Sequence, residues 1–238
     1  MAALLLLLAT VALVPAASAQ VCSGQLIKFD ADAFAWEDSY AGYVSSPGSN
    51  LKIVGIITQF CPPLGGLDPS DPTKEYTFLM TALVSSGTVV TPLTGQTNYR
   101  TNYGGGTFHI YEGSPRNAPT AGSMPCGPGG GTVPANFTDG TLILEGTLSG
   151  FRTSFNVFTS GQYSGVWRAD YTFTGGSLFA LVAGTGTGLM GGNWSVDPAA
   201  LPVCLPGEGY TAHPDGKWDV PPTPTTPSTW GSIKSLYR

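Results

Sequence analysis

The chain has 238 residues with glycine at 33 positions and proline at 20, together about 22% against roughly 12% in average usage. Charged residues make up only 11% and hydrophobic residues 42%, a composition that works against both a helical fold and global disorder. Ten basic and fifteen acidic side chains give a net charge of -5, so the chain lacks the excess of Lys and Arg that a nucleic-acid partner requires.

Leu4–Val14 is an apolar run of signal-peptide length, followed by Pro15 and the small-residue site Ala17-Ser18-Ala19. Residues 1–19 therefore read as a signal peptide cleaved before Gln20, although no Lys or Arg precedes the run. It is shorter than the roughly 20 residues that cross a bilayer, and no later segment is long and apolar enough to do so. The mature chain keeps Cys22, Cys61, Cys126 and Cys204, widely spaced and without a C-x-x-C pair. In an exported protein that pattern predicts two disulfides with any of three pairings, rather than a zinc site.

From Ser23 onward, short apolar or alternating runs are punctuated by Gly, Pro, Asn and Ser, the pattern of strands and turns. Predicted strands are Gln25–Asp30, Lys52–Gln59, Tyr76–Val84, Thr107–Glu112, Thr141–Leu148, Arg152–Thr159, Gly165–Phe173, Ser177–Ala183 and Asn193–Val196. Ser149-Gly150, Ser160-Gly161 and Gly175-Gly176 suit tight hairpin turns, and Phe29–Tyr43 has room for one short helical turn. The expected class is all-β, an antiparallel β-sandwich spanning residues 20–219, with a β-barrel-like closure as the alternative. Gly113–Asn136, with its Gly127-Pro128-Gly129-Gly130-Gly131 run, reads as an exposed excursion.

Chemistry is constrained by what is scarce. Only His109 and His213 are present, in unrelated contexts, and no G-x-S-x-G elbow or phosphate-binding glycine loop occurs. His109 alternates with Phe108 and Ile110 and should face a strand neighbour or solvent. Asp30, Asp32, Glu37 and Asp38 lie close together beside Trp36 and Tyr40, and Asp68 and Asp71 share a Pro-rich loop. Two acids across a cleft with aromatic surfaces is the arrangement of sugar chemistry, and the same oxygens suit calcium, although neither cluster has EF-hand spacing. Solvated loops are the plain alternative. No other cofactor is expected.

Residues 220–229, with Pro221-Pro222-Thr223-Pro224-Thr225-Thr226-Pro227, read as an extended spacer. In the last segment, 230–238, Trp230, Ile233 and Tyr237 recur at helical spacing beside two basic side chains. Nine residues are too few for a stable isolated helix, so this piece either frays or orders against a partner.

Phe108-His109-Ile110-Tyr111-Glu112 and the run from Pro134 to Gly146 resemble segments of exported bacterial β-rich proteins of uncharacterised function. The closing Trp-Gly-x-Ile-Lys-x-Leu-Tyr-Arg is similar to short C-terminal tags on secreted bacterial proteins. The resemblance implies export and a β fold, and it brings no catalytic or binding residues. The resulting expectation is an exported, non-enzymatic structural or adhesive domain in the cell envelope or outside the cell, with its tail engaging a sorting or cell-surface partner. The alternative is an extracellular domain that binds or cleaves carbohydrate through the acids and aromatics near Trp36.

Overall fold

Alternation of apolar and polar residues over long stretches builds long strands in this chain, with glycine and proline placing the turns. The structure, a computed structural model, describes residues 22–41, 43–120, 135–195, 210 and 212–220, and of 30–32 the backbone only. In chain order the elements are β1 (Gln25–Glu37), β2 (Tyr40–Ala41), β3 (Val44–Ser45), β4 (Asn50–Phe60), β5 (Glu75–Leu93), β6 (Gln96–Gly104) and β7 (Thr107–Gly113). A 3-10 turn at Ala135–Phe137 leads into β8 (Thr141–Phe158), β9 (Tyr163–Gly175), α1 (Phe179–Val182), β10 (Thr187–Ser195), β11 (His213–Pro214) and β12 (Gly216–Asp219).

The main sheet is antiparallel throughout and follows chain order: β1 pairs with β4, β4 with β5, β8 with β9, and β9 with β10. Between β5 and β8 a single position is shared end to end by β6 and β7, both antiparallel to their neighbours. The break between them falls where Ala82 of β5 takes a φ of 57° opposite Gly105, a conformation uncommon for a residue with a Cβ. β12 pairs with both β10 and β1, and this last pairing closes the sheet on itself. The all-β antiparallel expectation is met, and the closure is of the barrel-like kind: an up-and-down ring with no free edge in its main run.

The interior is filled by rings. Phe78 lies 4.7 Å from Phe29, Phe29 6.0 Å from Trp167, and Trp167 stacks on Phe151 at 5.4 Å. A second group joins Phe108, Tyr171 and Phe173 to Trp218, with centroids 4.6, 5.2 and 6.0 Å from that indole. What makes room for them is glycine on the facing strand. In register, Phe78 faces Gly55, Phe108 faces Gly146, Phe155 faces Gly165, Tyr171 faces Gly188, and Phe29 faces Gly216. A Cβ on Gly55 would come within 2.6 Å of the Phe78 ring and 2.7 Å of the Ala33 Cβ; one on Gly188 would come within 2.5 Å of Tyr171. Each ring folds over the space its partner leaves.

A second apolar cluster lies on the other face of the wall, where Phe34, Trp36 and Val54 are covered by Phe137 and Tyr210. Tyr210 packs 5.1 Å from Phe34 and 5.4 Å from Trp36, and Thr77 Oγ1 donates to the Phe137 carbonyl at 3.0 Å. Cys22 and Cys61 form a disulfide with Cα atoms 5.7 Å apart, clasping the start of β1 to the end of β4. In the chain-entropy account a loop of 39 residues' separation contributes about 3–4 kcal/mol. Cys126 and Cys204 lie outside the described residues; with Cys22–Cys61 formed, only a Cys126–Cys204 bridge would complete a second disulfide.

Several expectations need correction. Thr141–Leu148 and Arg152–Thr159 belong to one strand, because Ser149-Gly150 is a register shift within β8 and not a hairpin turn. Ser177–Ala183 is not a strand; Gly176 takes a φ of 102° and turns the chain into α1, which lays Val182 against the core. Among the described residues of Phe29–Tyr43 there is no helix, since β1 runs to Glu37 and β2 follows at Tyr40–Ala41. Gln96–Gly104, not anticipated as a strand, is β6. The signal peptide, the tail 230–238 and nearly all of the spacer 220–229 lie outside the described residues.

Replacing Gly55 with Ala should cost about 1–3 kcal/mol, the range for overpacking a filled core. The matching Gly66→Ala change, where a Cβ would meet nothing within 4 Å, should leave denaturant-derived stability nearly unchanged. Equal effects at the two positions would contradict the ring-over-glycine packing.

Candidate functional site

One end of the ring is stoppered by the β2–β3 hairpin. Its Tyr43 packs against Tyr99, Phe155 and Tyr163 with centroids 5.5, 5.5 and 6.2 Å away. Ser45 is pinned from the wall, its N–H donating to Thr88 Oγ1 at 2.8 Å, and Thr88 Oγ1 lies 2.6 Å from Thr101 Oγ1.

Beneath this hairpin sits the one cluster of buried acid and hydroxyl groups inside the described barrel. Strand alternation sends Trp36 to the outer cluster and Glu37 to the opposite face, where only 8% of Glu37 is exposed. The Ser45 hydroxyl bonds Glu37 Oε1 and lies 2.6 Å from Ser85 Oγ, and the Tyr103 hydroxyl donates to Glu37 Oε2 at 3.1 Å. Burial raises the Glu37 carboxyl above its ordinary value; hydrogen bonds from Ser45, Tyr103 and Ser49 pull the other way, and the nearby Asp38 charge adds to the rise. Burial, reinforced by the Glu37 charge, also pushes the Tyr40 and Tyr103 hydroxyls well above the usual phenol range. Both therefore stay protonated, and the buried Tyr40 hydroxyl has no hydrogen-bond partner among the described residues. Chemically this is a buried carboxyl among hydroxyl donors, its affinity for a proton raised by desolvation. Ser45 and Tyr103 are 1% and 4% exposed, so solvent barely reaches it.

The predicted site residues are distributed differently. Trp36 is covered by Tyr210, Glu37 lies under the hairpin that Tyr40 opens, and Asp38 is exposed, accepting from Asn50 Nδ2 at 2.8 Å. Trp36 and Glu37 thus do not line a common cleft. Asp30 and Asp32 are described only as backbone of β1. Asp68 accepts from the Ser70 N–H and hydroxyl at 2.9 and 2.6 Å, and Asp71 does the same with Thr73 at 2.8 and 2.7 Å. Those bonds hold both carboxyls below their ordinary value; they are turn formers. Among the described residues, no group of three or more His, Cys, Asp or Glu side chains is placed to hold a metal ion. His109 faces Glu145 at 3.8 Å, while His213 meets Phe34 edge-on at 5.1 Å.

On the wall formed by β1, β10 and β12, Gly191, Gly192 and Gly216 leave an open depression of about 240 Å³ beside Lys28, Lys217 and Asp215. Asp215 is engaged by the Asn193 N–H and Nδ2 at 2.9 and 3.1 Å, and Lys217 by Asp219 at 2.9 Å. No protein-family model, curated protein or solved structure matches the chain.

The Glu37 network was hidden from sequence reading because Ser45, Ser85 and Tyr103 arrive from three other strands. The available signal was the alternation itself, which separates Glu37 from Trp36.

A carboxyl raised on folding adds stability that is full below its unfolded value and is lost as pH rises through the folded one. Unfolding free energies of the native protein should therefore fall relative to Glu37→Gln as pH climbs through that range. Parallel pH profiles for the two proteins would contradict the burial of an ionisable group at this position.

Proposed function

We propose that the protein is an exported β-barrel scaffold that acts through its outer wall, as a structural or adhesive module of the cell envelope or the extracellular space. The observation that carries this reading is the filled interior. Barrels that carry small molecules keep a chamber open along the axis, whereas here rings meet rings across the ring of strands and a hairpin stoppers one end. A partner would meet the wall instead. The Cys22–Cys61 disulfide and the apolar run before Ala17-Ser18-Ala19 support export. The spacer 220–229 and the amphipathic segment 230–238 are assigned to sorting or surface attachment, because the sequence after the Pro/Thr-rich run carries three large apolar groups, Trp230, Ile233 and Tyr237.

Fractionation of source cells tests the proposal, with the full chain compared with one lacking Trp230–Arg238. Mature protein beginning at Gln20 and found outside the cytosol is expected, with the truncated chain accumulating elsewhere. Intact Met1 on protein recovered from the cytosol would overturn export, and an unchanged distribution of the truncated chain would remove the tail's role.

A further inference from the structure

Three of the chain's few cations converge on one patch of the outer wall. In β6 the buried Thr101 and Tyr103 alternate with exposed Arg100 and Asn102. In β8 the buried Phe151 and Thr153 flank Arg152, and in β9 the buried Trp167 and Ala169 flank the exposed Arg168. Register places Arg152 directly opposite Arg168 on one side and Asn102 on the other, with Arg100 opposite Ser154 one step along. Neighbouring strands run about 4.7–4.9 Å apart, so the three guanidinium groups form a short row across β6, β8 and β9. Their mutual field is felt: desolvation, then the charges of Arg168 and Arg100, lower Arg152 below its ordinary value, with Asp170 alone opposing.

Among the described residues no carboxylate lies within ion-pairing distance of these three side chains. Like charges directly opposite one another on a sheet repel, and a bound anion relieves that repulsion. The surrounding groups are amides and hydroxyls: Asn98 Nδ2 lies 3.1 Å from Ser154 Oγ and 2.9 Å from Asn156 Oδ1, an arrangement suited to sugar hydroxyls. Guanidinium forks match carboxylates in two-point geometry. The row is laid on a wall and not in a pocket, which fits a polymer bearing repeated anions better than a single small one.

We infer that the outer wall of β6, β8 and β9 binds an acidic polysaccharide through Arg100, Arg152 and Arg168, with Asn98, Ser154 and Asn156 meeting sugar hydroxyls. This deepens the reading of the protein as a scaffold that works through its wall, and it rests on that reading.

The test measures binding of the full mature chain to polygalacturonate, with neutral dextran, phosphatidylglycerol vesicles and duplex DNA as comparisons. Binding to polygalacturonate, absent on dextran and weakening as NaCl rises, is expected. Arg152→Gln and Arg168→Gln should each weaken it about tenfold, the scale of one charge-assisted hydrogen bond. Lys217→Gln alters net charge equally on another wall and should change it less than about twofold. If either β8 or β9 variant fails to fold, Arg100→Gln gives the same readout from the exposed end of the row. Equal weakening by Lys217→Gln, equal binding to vesicles or DNA, or no binding to polygalacturonate would each overturn the inference. Failure here with exported protein still attached to cells removes the arginine row and leaves the scaffold; cytosolic protein removes the scaffold while the binding of purified protein stands on its own.

Discussion

A bulky ring lying over a glycine on the neighbouring strand is the contact from which the rest of this structure follows. Each such pair lets a strand carry an inward aromatic without forcing its neighbour outward. The interior of an up-and-down ring of this size is just wide enough for side chains to fill, and here the pairs distribute large and empty positions so that rings from strands that are not neighbours meet. Aromatic pairs of this kind add about 0.5–1.5 kcal/mol each beyond the area they bury. A glycine-rich chain would otherwise have little to offset the entropy that glycine loses on folding.

Filling the middle displaces polar business to the end and to the wall. At the end, Glu37 is drawn under the β2–β3 hairpin, its carboxyl raised by desolvation, with Ser45 and Tyr103 as its donors. That network ties β1, β3, β5 and β6 together where the ring would otherwise be open. On the wall, alternation obliges whatever sits between inward rings to face out. Arg152, half-buried, and the exposed Arg168 point outward because Phe151, Thr153, Trp167 and Ala169 are packed inside. Packing and surface chemistry are thus two readings of the same strands.

The strand pattern was legible where alternation was apolar, as in Thr107–Glu112, whose Phe108 and Ile110 point inward while His109 faces Glu145. It failed where the inward residues were polar or aromatic-hydroxyl. In Gln96–Gly104 the inward set is Thr97, Tyr99, Thr101 and Tyr103, which hydropathy alone does not mark as a core face. Ser149-Gly150 and Ser160-Gly161 look alike in sequence, yet the first is absorbed as an irregularity inside β8 and the second turns the chain. Only pairing on both sides of a strand distinguishes these outcomes, and pairing is not local. The acid cluster near Trp36 came apart for a simpler reason: adjacent residues on a strand face opposite ways, so nearness in sequence set Trp36 and Glu37 on different sides of the wall.

Closure depends on a short seam, where Ile27 pairs with Trp218 and Phe29 with Gly216. Native-state hydrogen exchange across that seam tests the closed, filled ring most directly. Amides of Ile27–Phe29 and Gly216–Trp218 that are protected to the level of the central β8–β9 pairing would agree with this account. Seam amides exchanging as fast as an uncovered strand edge, with β8 and β9 still protected, would contradict it.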